Sequence, residues 1–153
     1  MRTPETIVNR MVVIDAPMEA VWHRLVTPGL ASLHLVREEG LHHLKEGSSL
    51  RWFDPDSQDE KLISKVRVTV VAPPRHIALM MYDPKSELSD APENYTSVDI
   101  TLSLEEDGRT LVSVEQGDFA KHPHAVRLAR EAGNRWVEAL IRLLEHVEHE
   151  AAA

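Results

Sequence analysis

Between Tyr95 and Phe119 the sequence alternates apolar and polar residues on both sides of one tight turn, and that pattern leaves few folds open. Val98, Ile100, Leu102 and Leu104 fall on one side of a strand, with Asp99, Thr101 and Ser103 opposite. After Glu106-Asp107-Gly108, Val112 and Val114 continue the apolar side. Such alternation marks an antiparallel hairpin with one face buried and one in water. The buried face needs a cover. The only segment long enough to supply one follows Pro123, where the spacing turns helical and stays so to about His149. A helix of ~26 residues spans roughly 39 Å, ample to cross a sheet.

The rest of the chain supplies more strands. Ile7 to Ile14 is rich in β-branched residues and reads as a first strand. A helix then starts at Ala16-Pro17-Met18-Glu19, with Val21, Trp22, Leu25 and Val26 at helical spacing until Thr27-Pro28-Gly29 breaks it. A second short helix is predicted over Leu30 to Val36. Strands are predicted over Leu41 to Leu44, Leu50 to Phe53, Leu62 to Val71, His76 to Tyr82, Tyr95 to Leu104 and Thr110 to Phe119. Turn-forming clusters separate most of them, among them Glu46-Gly47-Ser48, Asp54-Pro55-Asp56-Ser57 and Ala72-Pro73-Pro74. The stretch Asp83 to Asn94 has no periodicity and reads as a long loop, of the kind that is often functional or mobile. This order is α+β, in a single domain over residues 1–153.

Composition narrows the function classes. The formal net charge is −8, from 25 acidic and 17 basic residues, and no run of Lys and Arg occurs. A surface of that sign repels phosphate backbones and anionic lipid, so neither nucleic acid nor membrane is expected as a partner. The absence of cysteine excludes disulfides, thiol catalysis and thiolate zinc sites. With no apolar stretch in Met1 to Thr6 and no run of ~20 apolar residues, the sequence predicts a cytoplasmic protein.

The inner face of the last helix carries Val126, Ala129, Gly133, Trp136, Leu140, Leu143, Leu144 and Val147. Its C-terminal half is large and apolar, whereas Ala129 and Gly133, with Ala132 beside them, make the N-terminal half thin. Gly inside a helix costs about 1 kcal/mol relative to Ala. Either the helix packs closely there, or the small residues leave a space for a ligand or water. Gln116 shares a face with Val112 and Val114, so it points inward, and a buried amide needs partners.

Several local features occur together in order. Asp15-Ala16-Pro17 is followed by Val21-Trp22, Val68 to Val71 leads into Ala72-Pro73-Pro74-Arg75-His76-Ile77, and the hairpin ends on Gln116-Gly117-Asp118-Phe119. The last helix carries Trp136, Ala139-Leu140 and Leu143. From about residue 7 to 147 the chain resembles the SRPBCC (START-like) superfamily. Within it, the resemblance is to the bacterial branch related to the activator of the ninety-kilodalton heat-shock protein's ATPase. This implies a helix-grip fold: a curved antiparallel sheet of about six to seven strands wrapped around a long C-terminal helix, with an internal cavity. Two positions depart from the family's habit. Arg135 stands directly before Trp136 where Gly is frequent, and Met81-Tyr82 replaces a Trp.

The leading expectation is a binding protein for a small hydrophobic molecule. Its cavity would be lined by Trp52, Leu79, Met81, Tyr82, Ile100 and Gln116 from the sheet and by Ala129, Gly133 and Trp136 from the helix. A cavity enzyme of cyclase, dehydratase or hydrolase type, as the resemblance also implies, would have only Tyr82, Gln116 and His34 as acid–base candidates. A co-chaperone-like or other interaction module is the third reading, and an open sheet edge makes a homodimer a candidate state. Nine histidines invite a metal, but His42-His43 point to opposite faces of a strand, and His122, His124, His146 and His149 form no three-ligand pattern. No metal, cofactor or catalytic residue is therefore assigned. Glu38-Glu39 and Glu105-Glu106 read as solvated carboxylates beside turns.

Overall fold

A computed structural model describes residues 5–40, 44–56 and 61–152. Its strands are β1 (Val8–Ile14), β2 (Arg37–Glu39), β3 (Ser49–Phe53), β4 (Leu62–Ala72), β5 (His76–Tyr82), β6 (Thr96–Leu104) and β7 (Thr110–Gly117). They form one antiparallel sheet in the order β1-β7-β6-β5-β4-β3-β2. Two short helices, α1 (Met18–Arg24) and α2 (Leu30–Leu33), carry the chain from one sheet edge to the other, and α3 (Ala125–Ala152) follows the last strand. The fold is the α+β helix-grip.

The hairpin forms as its pattern dictates except at its ends, where Leu104 is 63% exposed and the second strand stops at Gly117 rather than Phe119. Ile100 pairs with Val114 and Leu102 with Val112, all on the buried face. Gly108, at φ +88°, makes the turn, and Asp107 accepts hydrogen bonds from the backbone N–H and Nε of Arg109 at 3.0 and 2.7 Å. Register shifts in β4 between Val68 and Val70, and in β3 between Trp52 and Phe53, break the ladder at points where a sheet bends.

Helix α3 has 28 residues and is ~42 Å long. It covers the sheet with Leu128, Ala129, Ala132, Trp136, Ala139, Leu140, Leu143 and Val147, all buried. The stripe sits slightly out of phase with its sequence-based placement. Val126 is exposed and Leu144 only partly covered, while Leu128 and Ala139 face the core. The far end is tied down by polar contacts. Glu148 accepts from the Asp15 backbone N–H at 2.9 Å, Arg24 pairs with Glu150 at 3.1 Å, and Arg142 donates to the Leu33 carbonyl at 2.8 Å.

Other elements depart from expectation. The second helix ends at Leu33, because Leu35 adopts φ +55° and turns the chain into β2. Strand β2 puts Glu38 and Glu39 inside a ladder with β3 rather than beside a turn. Glu38 accepts from Trp52 Nε1 at 3.1 Å and Glu39 pairs with Arg51 at 2.6 Å. The loop from Asp83 to Asn94 contains two 3-10 turns, Pro84–Ser86 and Pro92–Asn94, and is held by its own hydrogen bonds, such as Asn94 Nδ2 to the Ser89 carbonyl at 2.9 Å. His42, His43 and most of the strand expected over Leu41 to Leu44 lie outside the described residues.

Candidate functional site

Between the sheet's inner face and α3, around Trp136, the packing is incomplete, with His34 and Val36 from the segment after α2 at one side. A small cavity of about 40 Å3 remains there. That is room for roughly three water molecules, whereas a benzene-sized guest needs about 150 Å3. Its lining brings together Trp52 from β3, Met81 and Tyr82 from β5, Gln116 from β7 and Trp136 from α3. His34, Thr96, Phe119, His122, Ala132 and the exposed Arg135 complete much of the wall.

A ladder of buried hydrogen bonds crosses this space. Trp136 Nε1 donates to Gln116 Oε1 at 2.8 Å, Gln116 Nε2 donates to Thr96 Oγ1 at 2.9 Å, and Thr96 Oγ1 reaches the Met81 carbonyl at 3.4 Å. The inward amide is thus met from both ends, and it fixes the indole of α3 against the sheet. Each link relieves a group whose burial unpaired would cost about 1–3 kcal/mol.

His34, just past α2, stands between the two tryptophans. Its ring centroid lies 5.2 Å from that of Trp52 and 4.5 Å from that of Trp136, the latter at 85°. Part of the residue reaches solvent, but Nε2 is enclosed and has no hydrogen-bond partner. Burial, reinforced by the Arg135 and Arg142 cations, pushes its pKa from 6.5 down to about 3. The ring is neutral at physiological pH, so the enclosed Nε2 can accept or donate one hydrogen bond according to the tautomer. His122 offers a second unmet atom: Nε2 lies 3.3 Å from the Asn94 carbonyl, and Nδ1 is enclosed without a partner. By sequence His34 is a candidate for this space, but His122 reads as a solvated residue before the last helix, because its direction is set by the turn between β7 and α3.

The remaining predicted lining residues go elsewhere. Ile100 is buried within the sheet's core, and Leu79 borders a separate crevice of about 10 Å3 with Leu25, Leu30 and Trp52. Gly133 faces the guanidinium of Arg10, which projects from the inner face of β1; a Cβ on residue 133 would stand 2.6 Å from Arg10 Nη2. The helix is thin there because a long side chain from the edge strand lies against it. Ala129 is buried at the rim of a shallow outer depression beside Arg10 and Arg130. Tyr82 touches the cavity, but its hydroxyl donates to the Leu88 carbonyl at 2.7 Å and its ring lies 5.5 Å from that of Tyr95. Among the described residues, no three His, Asp or Glu side chains converge as a metal cluster, and no helix is long and apolar enough to cross a membrane.

Comparison with known proteins agrees with this architecture. No curated protein matches the sequence. Among solved structures, protein MLL2253 from Mesorhizobium loti superposes with a TM-score of 0.72 at 19% identity, over 94% of this chain and 97% of that one. The Aha1 protein of Colwellia psychrerythraea, solved as a dimer in solution, gives 0.69 at 18% identity over 93% and 96%. DynU16, a protein of the dynemicin biosynthetic locus, gives 0.70 at 19% identity; it covers 95% of this chain, which spans only 48% of DynU16. At such identities the likeness is one of fold. The family described as Activator of Hsp90 ATPase homolog 1-like protein matches residues 15–145, and the chain belongs to that family.

Proposed function

We propose that this protein binds a small apolar molecule carrying a hydrogen-bond donor, such as a hydroxyl, in the space bounded by Trp52, Trp136, Met81, Tyr82 and Gln116. The observation that carries the reading is the pair of enclosed, unpartnered imidazole nitrogens, His34 Nε2 and His122 Nδ1, beside two indoles and a methionine. Aromatic and Met walls suit varied apolar shapes, and His122 Nδ1, whose partner nitrogen faces the Asn94 carbonyl, favours a guest that donates. At about 40 Å3 the closed space admits only a few atoms, so binding is coupled to outward movement of its walls.

An acid–base enzyme is less well supported. A catalytic base works best with a pKa near the operating pH, and His34 lies far below it. Gln116 and Tyr82 are engaged in hydrogen bonds of their own. Native mass spectrometry of the full chain purified from its own host tests the binding reading. The expected result is a bound small molecule that is lost in Ala132→Leu, whose side chain would fill the cavity. Bare protein in both preparations would sink the reading. The family description favours a second reading, docking to a heat-shock-protein-90 chaperone. It predicts a rise in that chaperone's ATPase rate on mixing, and an unchanged rate would exclude it. Homodimerisation belongs with these proposals, and the same mass spectra report it.

A further inference from the structure

The opposite face of the sheet carries a second and larger hollow. It lies on the outer surface of β3, β4 and β5, walled on one side by the loop that precedes β6, and has a volume of about 560 Å3. That falls within the range of small-molecule sites, roughly 300–1,000 Å3. The alternation of the strands builds it. Leu50 and Val66 turn inward to the core, so Arg51, Lys65 and Arg67 turn outward, and Met80 stands opposite Arg67 in the β4–β5 register. Pro92 and Tyr95 supply an apolar wall from the loop.

The charges here are unequally paired. Arg51 is held by Glu39 at 2.6 Å, and Lys65 by Asp90, whose other oxygen accepts from the Tyr95 hydroxyl at 2.7 Å. The Arg67 side chain, on a backbone paired with Ser49 and Met80, has no hydrogen bond or ion pair among the described residues. The hollow therefore holds one uncompensated positive charge on a protein whose net charge is −8. A guanidinium binds a planar carboxylate through two parallel hydrogen bonds. The neighbouring carboxylates of Glu39 and Asp90 oppose a doubly charged phosphate, so a singly charged acid matches the single free cation. Met80, Pro92 and Tyr95 offer flat apolar contact for the body of such an acid.

From these features we infer that the outer face of the sheet binds a small aromatic monocarboxylate, with Arg67 receiving the carboxylate and Met80, Pro92 and Tyr95 receiving the ring. The site is separated from the interior cavity by the sheet and does not depend on the function proposed above.

The test is NMR titration of the full chain, labelled on amides and methionine methyls, with 2-naphthoate as probe and 2-naphthamide as its uncharged counterpart. The expected result is that naphthoate shifts the Met80 methyl and the amides of Lys65 to Arg67, and that naphthamide binds about tenfold more weakly or worse. Arg67→Gln should lower naphthoate affinity to the naphthamide level, while Arg67→Lys keeps part of it. Because Arg67 is exposed and unpaired, Arg67→Gln should unfold at the wild-type temperature, which separates lost binding from lost folding. Equal affinity for the two probes, undiminished binding by Arg67→Gln, shifts confined to the Trp52 and Trp136 indoles, or no shifts at millimolar probe would each overturn the inference.

Discussion

At the scale of single residues, the interior is organised by polar atoms that the sequence shows only in part. Alternation along β7 identifies Gln116 as inward. It cannot name Thr96 and Trp136 as partners, because those depend on strand register and on the rotation of α3. Replacing Gln116 by Leu leaves the Trp136 N–H unmet and takes from the Thr96 hydroxyl its donor, so about 2 kcal/mol of stability should be lost in urea unfolding. Gly133 was legible as a thin spot, but its cause, Arg10, lies more than a hundred positions earlier. Gly133→Ala gains helix propensity of about 1 kcal/mol and must push Arg10 aside. The gain should be larger in an Arg10→Ala background, and a double-mutant cycle measures the coupling. Below pH 6.5 the unfolded chain protonates His34, while the folded chain resists until about pH 3. The stability His34 contributes is thus whole above pH 6.5 and is lost as the pH falls through that window. From pH 7 to about pH 5, wild type should lose about 2 kcal/mol more than His34→Phe in paired denaturation curves.

At the scale of elements, the long periodic segments were readable and the short or charged ones were not. Strand β5 runs over His76–Tyr82, as its composition predicts. Strand β2 is only Arg37–Glu39, an edge segment of charged residues with no apolar alternation to reveal it. The second helix looked longer than it is because Leu33, Leu35 and Val36 continue an apolar spacing. The left-handed backbone at Leu35, which sequence spacing does not encode, cuts it short. The helix that covers the sheet rests most firmly on its C-terminal half. Leu143 has no exposed surface, and Leu143→Ala should cost about 2–5 kcal/mol, read from the shift in urea midpoint. The same truncation at Ile141, which is 48% exposed, should change stability by roughly 0.5 kcal/mol or less.

At the scale of the whole molecule, a seven-stranded sheet lies between two unlike spaces. The inner one is tight and aromatic, with Asp83 and Arg135 in its wall; the outer one is open and carries a free cation. The resemblance implied an internal cavity, and the space found under the helix is only about 40 Å3. The outer one was not implied, because its charges come from separate strands and only register makes them neighbours. Among the described residues the sheet also has two free margins, and they are unlike as well. Strand β2 is three residues long and charged, which offers little to a visiting strand. Strand β1 has seven residues and a regular ladder with β7, so its outer rim is the exposed template. Arg10 sits in the middle of that rim with its charge turned inward against α3. A strand added there would wall the guanidinium off from water without giving it a counter-ion. Arg10→Val removes that penalty, so the variant is expected to form more β-rich aggregate than the wild type at equal concentration, read by light scattering and thioflavin fluorescence.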